Sequence, residues 1–255
     1  MAMNPVASSH STPACTAEAL ISVVIPTLNE ASNIATTLKN VAQRCSEPQR
    51  CEIILADGYS TDKTLNVAHK CKPELEERGL DICLVQSERG RARQMNLGAE
   101  RAHGEILLFL HADTHLPPNF DTNIRTALAE YPKSLGGFSL TTERQNLPLR
   151  CICKGANLRA RLLHLPYGDQ ALFIRRDYFM HMQMFPSLEI MEDFAMARQV
   201  KRSGGSIQIL PDTVSTSARR WRKRGYLFTT LCNQIIILGY YLRIPTRILS
   251  RWYRR

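Results

Sequence analysis

Four short apolar runs, each followed by a stretch with helical spacing, constrain this chain more than any other feature. The runs are Leu20–Pro26, Cys51–Ala56, Ile82–Gln86 and Glu105–Leu110. Helical patterns follow from Glu30 to Arg44, from a Thr61–Asp62 cap to Cys71, from Arg91 to Ala102 and from Pro118 to Tyr131. The last begins with proline in its first turn, where a missing N–H costs nothing. Runs that are apolar throughout, rather than alternating, belong to strands covered on both faces. Repeated β-α units of this kind build an α/β fold, a mostly parallel sheet with helices on both sides.

Beyond Gly136 the regularity fades. Gly136–Leu140 and Gly168–Ile174 read as strands, Leu147–Leu163 and Met191–Arg202 as helices. No linker or internal repeat interrupts the pattern, so residues 20–218 read as one domain. Residues 1–19 have neither a basic start nor an apolar core; they read as a flexible polar extension rather than a secretory signal. Residues 219–255 read as an appended C-terminal segment. Eight cysteines show no CxxC pair and no regular spacing, which fits a reducing cytosol. Cys151 and Cys153 are the weak exception to watch for redox or metal chemistry.

Charge is distributed as unevenly as hydropathy. The 255 residues carry a formal net charge of +10, from 33 Lys plus Arg against 23 Asp plus Glu. No acid follows Asp212, and ten cations do: Arg219, Arg220, Arg222, Lys223, Arg224, Arg243, Arg247, Arg251, Arg254 and Arg255. The body before them is neutral. A nucleic-acid binder carries its basic residues on the main domain, so that class is disfavoured. A local device for phosphates or for an anionic membrane surface fits better.

In an open parallel sheet, ligands bind at the carboxyl ends of the strands. Here those ends read Pro26-Thr27-Leu28-Asn29-Glu30, Asp57-Gly58-Tyr59-Ser60-Thr61-Asp62, Glu88-Arg89-Gly90-Arg91-Ala92-Arg93-Gln94-Met95-Asn96 and His111-Ala112-Asp113. Any one of them is explained as a turn or a helix cap. Four polar ends along one sheet edge point to a site.

In order, Ile25-Pro26-Thr27-Leu28-Asn29-Glu30, Asp57-Gly58-x-Ser60-x-Asp62 and the strand-terminal x-Ala-Asp resemble the signature of inverting family-2 glycosyltransferases, which have the Rossmann-like GT-A fold. Gly90-Arg91-Ala92-Arg93-Gln94-Met95-Asn96-Leu97-Gly98-Ala99 and His111-Ala112-Asp113-Thr114 resemble a small bacterial subgroup, often named after glucosyltransferases of carotenoid-acid biosynthesis. The resemblance covers roughly residues 20–225. It implies transfer of a hexose, with inversion and with Mg²⁺ or Mn²⁺, from a nucleotide-diphosphate sugar to an acceptor hydroxyl or carboxylate that includes lipid-like molecules.

The resemblance also implies roles. Pro26, Asn29 and Glu30 would line base and ribose, and Asp57 would accept from a base N–H. Gly90 and Arg91 would lie by the donor, with Gln94 and Asn96 supporting their loop. The family's usual Asp-x-Asp reads His111-Ala112-Asp113 here, so the ribose loses its usual acid while Asp113 remains the metal ligand. A hard carboxylate beside a diphosphate suits Mg²⁺ or Mn²⁺. Glu192 and Asp193 match the family's acid pair, Asp193 as base; the plainer account is that acids favour a helix N-terminus. Asp169 and Gln170 would stand near donor sugar and acceptor. Arg219 or Arg220 would meet the leaving diphosphate, which a guanidinium can hold bidentately.

Three other readings are weaker. Zinc at His111, Asp113 and His115 lacks the His-Glu-x-x-His pattern. A nucleotidyltransferase would open on a glycine-rich loop, and Pro26-Thr27-Leu28-Asn29-Glu30 has no glycine. A membrane-surface binding module would use the basic tail and leave the strand-end acids unexplained. The apolar Tyr226–Leu242, broken by Asn233-Gln234 and flanked by arginines, fits a helix on an anionic membrane, on the domain itself or on the second subunit of a homodimer. The expected location is cytoplasmic, peripheral on the inner face of the membrane.

Overall fold

A computed structural model describes residues 18–143 and 146–254; for Arg220 and Arg254 it describes the backbone only. Most of the N-terminal extension, residues 1–17, lies outside the described residues.

The four apolar runs become β1 (Ile21–Thr27), β2 (Cys51–Asp57), β3 (Asp81–Gln86) and β4 (Ile106–Phe109). Between them run α1 (Ile34–Arg44), α2 (Thr64–Glu77) and α3 (Arg91–Arg101). Next come β5 (Thr114–His115), α4 (Phe120–Glu130), β6 (Ser134–Thr142), α5 (Leu147–Leu163), β7 (Leu172–Arg175) and α6 (Arg176–His181). The chain continues through α7 (Glu192–Arg202), β8 (Ser206–Thr216), α8 (Arg219–Arg224), α9 (Tyr226–Tyr241) and α10 (Thr246–Arg254).

All eight strands form one sheet in the order β3-β2-β1-β4-β7-β6-β8-β5. The half built from β1 to β4 is parallel throughout. In the other half only β6 and β8 pair in parallel; β7 opposes both β4 and β6, and β5 opposes β8. One face buries Ile21, Val23, Ile25, Ile53 and Leu108 against Leu38 of α1, Ala68 of α2 and Phe120 of α4. The other buries Val24, Ile54, Leu107 and Phe109 against Met95 of α3, Phe179 of α6 and Phe194 of α7. Two apolar faces explain why these strands read as unbroken apolar runs.

The sequence reading needs correction in five places. The helix expected from Glu30 starts at Ile34, because Asn29 is left-handed (φ +57°) and Glu30–Asn33 form a turn. The helix expected to end at Cys71 runs to Glu77, through Pro73, a stop signal that the helix accommodates. The expected strand Gly168–Ile174 is a 3₁₀ turn, Gly168–Gln170, followed by β7. The expected loop His111–Pro118 contains β5. The eleven-residue β8 was not expected at all: it contains Pro211 and Asp212, is bulged against β6 and is only half buried, so it lacks an apolar run.

Cys45 and Cys51 bring their sulfurs to 3.2 Å, beside Asp121, and not Cys151 with Cys153. Asp121 is already used by the Ser46 and Glu47 amides and by Arg125, whose guanidinium lies 4.0 Å from the Cys51 sulfur. A cation is ill suited to that corner.

Candidate functional site

The carboxyl ends of β1 and β2 are locked by hydrogen bonds. Gln94, buried on α3, donates from Nε2 to the Thr27 carbonyl (2.7 Å) and the Ala56 carbonyl (2.8 Å). Asp57 is fully buried and accepts from Thr27 Oγ1 (3.0 Å), the Ser60 amide (2.8 Å) and Ser60 Oγ (2.5 Å). The Asn29 amide donates to Ser60 Oγ, and Asn29 Oδ1 accepts from the Thr61 amide at 2.8 Å. Asp62 accepts from the Ala31 and Thr64 amides, and the Glu30 amide donates to Thr64 Oγ1. Asp57 in this structure holds a turn instead of facing open space. Gly90, at φ +142° in a region closed to side chains, lets the chain swing from β3 into α3. Asn96 clasps both the amide and the carbonyl of Phe185, tying α3 to the loop before α7.

Past β4 the polar groups are less well matched. His111 Nε2 is buried without a hydrogen-bond partner; burial, aided by Arg91, pushes the imidazole down to about 3, so the ring is neutral. Asp169 Oδ1 is likewise buried and unpartnered, and burial pushes that carboxyl up to about 6, with Asp193 adding repulsion and Arg159 opposing it. Glu192 opens α7 almost fully buried, raised by burial first and next eased by Arg91, whose Nη1 lies 3.4 Å away. Asp193 Oδ2 accepts from the Gly168 amide at 2.6 Å. A Cβ on Gly168 would stand 2.8 Å from His111 Nε2 and 3.4 Å from Asp193 Oδ2. A side chain at 168 would therefore crowd His111, while Asp193 would stay at ordinary contact distance.

Between the two flanks stand Asp113, Glu30 and Arg219. Burial raises the Asp113 carboxyl, and Glu30 raises it further, while Arg219 and Arg91 pull it down. Arg219 Nη2 pairs with Glu30 Oε1 at 3.3 Å, and the Ser217 amide donates to the Asp113 carbonyl. The start of the basic segment is thus pinned to this edge. Two half-buried acids in each other's field form a set of hard oxygen donors that a divalent cation would relieve.

Most of the expected residues assemble here: Pro26, Asn29, Asp57, Gly90, Arg91 and Gln94 on the first flank, Glu30, Asp113 and Arg219 between the flanks, and His111, Asp169, Glu192 and Asp193 around the second. Ala112 and Gln170 do not line open space. Ala112 is buried and its carbonyl accepts from Thr37; Gln170 is buried, donating to the Phe138 carbonyl and accepting from the Tyr167 amide. The Arg220 side chain lies outside the described residues. Sequence reasoning missed Arg159 on α5, which lies 3.5 Å over the Tyr167 ring and within the field of Asp169. Its only signal was a cation in the last half of a helix. It also missed Gly168, because a glycine's use in a close approach shows only in three dimensions.

A family model described as Glycosyl transferase family 2 matches residues 22–175. The PGL/p-HBAD biosynthesis glycosyltransferase of Mycobacterium tuberculosis is 40% identical over 98 residues, 38% of this chain and 36% of that protein. The dolichyl N-acetyl-alpha-D-glucosaminyl phosphate 3-beta-D-2,3-diacetamido-2,3-dideoxy-beta-D-glucuronosyltransferase of Methanococcus voltae is 30% identical over 107 residues, 42% of this chain and 33% of that protein. The matched stretches thus span about a third of these curated relatives. Among solved structures, the mannosyltransferase PcManGT from Pyrobaculum calidifontis, in complex with GDP-Man and Mn2+, superposes with a TM-score of 0.68 at 19% identity, covering 95% of this chain and 71% of that one. That likeness establishes the GT-A fold.

Proposed function

The chain belongs to glycosyl transferase family 2, and from that premise we propose that it moves a hexose from a UDP- or GDP-type sugar to an acceptor hydroxyl or carboxylate, with inversion. The observation that carries the reading is the convergence of acids on Arg91. Its guanidinium lies in the field of Asp113 on the donor edge and of Asp169, Glu192 and Asp193 on the opposite flank. A site with a basic centre and acids on two sides can hold a diphosphate and a proton acceptor together.

The locked ends of β1 and β2 would receive base and ribose, with Pro26, Asn29 and Glu30 as the wall. Asp113 would hold Mg²⁺ or Mn²⁺, which when bound offsets charge gathering on the diphosphate. Asp193, oriented by the Gly168 amide, takes the acceptor hydroxyl proton. The freed oxygen attacks the anomeric carbon opposite the diphosphate, the bond to the diphosphate oxygen breaks, and configuration inverts. Arg219 would exchange Glu30 for the departing phosphate. A lipid-like acceptor is supported by the dolichyl phosphate in the name of the Methanococcus voltae relative. The seven described cysteines are unpaired, which supports a reducing, cytoplasmic setting.

Titration calorimetry with UDP and with GDP, each with Mn²⁺, tests the reading; one of the two should bind, and binding of neither overturns it. A donor panel followed by release of nucleoside diphosphate then identifies the sugar.

A further inference from the structure

The surface of α9 is unusual for a helix packed on a soluble core. Leu227 is 89% exposed, Leu231 and Leu238 60%, and Leu242 just past the helix 67%. With Ile235 they recur every three or four residues, so they share one stripe, and Phe228 and Tyr241 are exposed beside it. The helix already has its intramolecular partners on another face. Thr229, Ile236 and Gly239 are buried, Ile236 joins the cluster containing Leu249 of α10, and Tyr240 meets the Phe194 ring edge-on at 5.2 Å. Among the described residues, nothing covers the stripe.

Cations border it. Arg222, Lys223, Arg243 and Arg251 are exposed, and among the described residues none of them makes an ion pair. Trp252 and Ile248 are exposed on α10. Glu189 accepts from Thr246 of α10 and lies in the field of Arg247. Sixteen residues make a helix about 24 Å long, and no described helix is long and apolar enough to cross a bilayer.

We propose that the exposed stripe of α9, with its rim of arginines and Trp252, docks this protein on the surface of an anionic lipid bilayer, the helix lying in the plane of the headgroups. Charge complementarity selects this occupant. Leucines enter the acyl boundary while guanidinium groups meet lipid phosphates, and an exposed tryptophan suits the interface. A second copy would bring the same cationic rim against itself across a two-fold axis, where like charges oppose association. Nucleic acid offers nothing to a leucine stripe. Docking would bring the C-terminal end of α9 to headgroup level, and there Tyr240 and Tyr241 pack on Phe194, the residue after Asp193. On the transferase reading, the acceptor would then be an amphiphile of the same leaflet. The docking itself does not depend on that chemistry.

Co-sedimentation of the full chain with vesicles tests it, using phosphatidylcholine alone and with about one third phosphatidylglycerol. Binding should require the anionic lipid and weaken as salt rises. Leu231→Glu with Leu238→Glu, both on the exposed stripe, should reduce partitioning at least about tenfold. Leu227→Glu alone, at the most exposed site, provides a second variant with less risk to folding. Nucleotide binding measured on the same samples should not change. Wild-type protein that ignores anionic vesicles, or glutamate variants that bind like wild type, would overturn the proposal. So would a wild-type dimer that the glutamates convert to monomer without any vesicle binding.

Discussion

The two flanks of the sheet edge are built on opposite terms. On the β1–β2 side every buried polar group named above has a partner: Gln94 satisfies two strand-end carbonyls and Asp57 gathers three donors. On the far side His111 Nε2 and Asp169 Oδ1 have none, and Glu192 is buried with a single arginine in reach. A satisfied network is rigid and presents a fixed surface to whatever binds. Unmatched polar atoms raise the energy of the empty fold and are recovered when a ligand completes them. On the proposed transferase reading, the first flank would hold the donor and the second would react.

Replacing Asp193 by Asn should have the largest effect. Transfer to a hydroxyl acceptor should fall about a thousandfold while nucleotide affinity by calorimetry stays the same. Unimpaired turnover would remove Asp193 as base and the reacting role of its flank. Asp113→Ala comes next, with a loss of about a hundredfold in metal-stimulated turnover; an unchanged response to Mn²⁺ titration would place the ion elsewhere. Gln94→Ala strikes the locked flank and should show in folding instead. Two buried carbonyls lose their donor, at a cost of about 2 kcal/mol in urea unfolding, and a cost near zero would mean that the network is not what fixes that edge.

Asp169→Asn reverses the usual sign. The carboxyl is raised in the fold from 3.8 to about 6, so the native state holds its proton more tightly than the unfolded chain does. Its ionisation therefore destabilises the fold progressively between about pH 4 and pH 6, and the cost persists above that range. The Asn variant should melt higher than wild type at pH 7 and equal to it near pH 4. A lower melting temperature at pH 7 would show that the carboxylate is compensated and the two flanks are alike.

Legibility in the sequence follows the same division. β1 to β4 were visible because burial on both faces writes an apolar run, and the polar residues after each run could be placed at one edge by topology alone. Once β7 reverses direction, the signal weakens: β8 is half exposed and interrupted by Pro211 and Asp212. Asp57 and Gln170 were visible as polar residues in the right loops, but whether such a residue faces a ligand or props a turn depends on hydrogen-bond partners far along the chain. Asp193 stands out in the sequence as an acid opening a helix, whereas its hydrogen bond from Gly168 and the cation of Arg159 over Tyr167 arise from contacts between separate elements.

The bare α-carbon of Gly168 has a consequence for descent. His111 and Asp193 both come within a methyl group's reach of it, so residues 111 and 168 cannot drift independently. A lineage that places a side chain at 168 must first shift or shrink the residue at 111. The two positions should mutate as a pair, across 57 residues of chain, and sequences that keep histidine at 111 should keep glycine at 168.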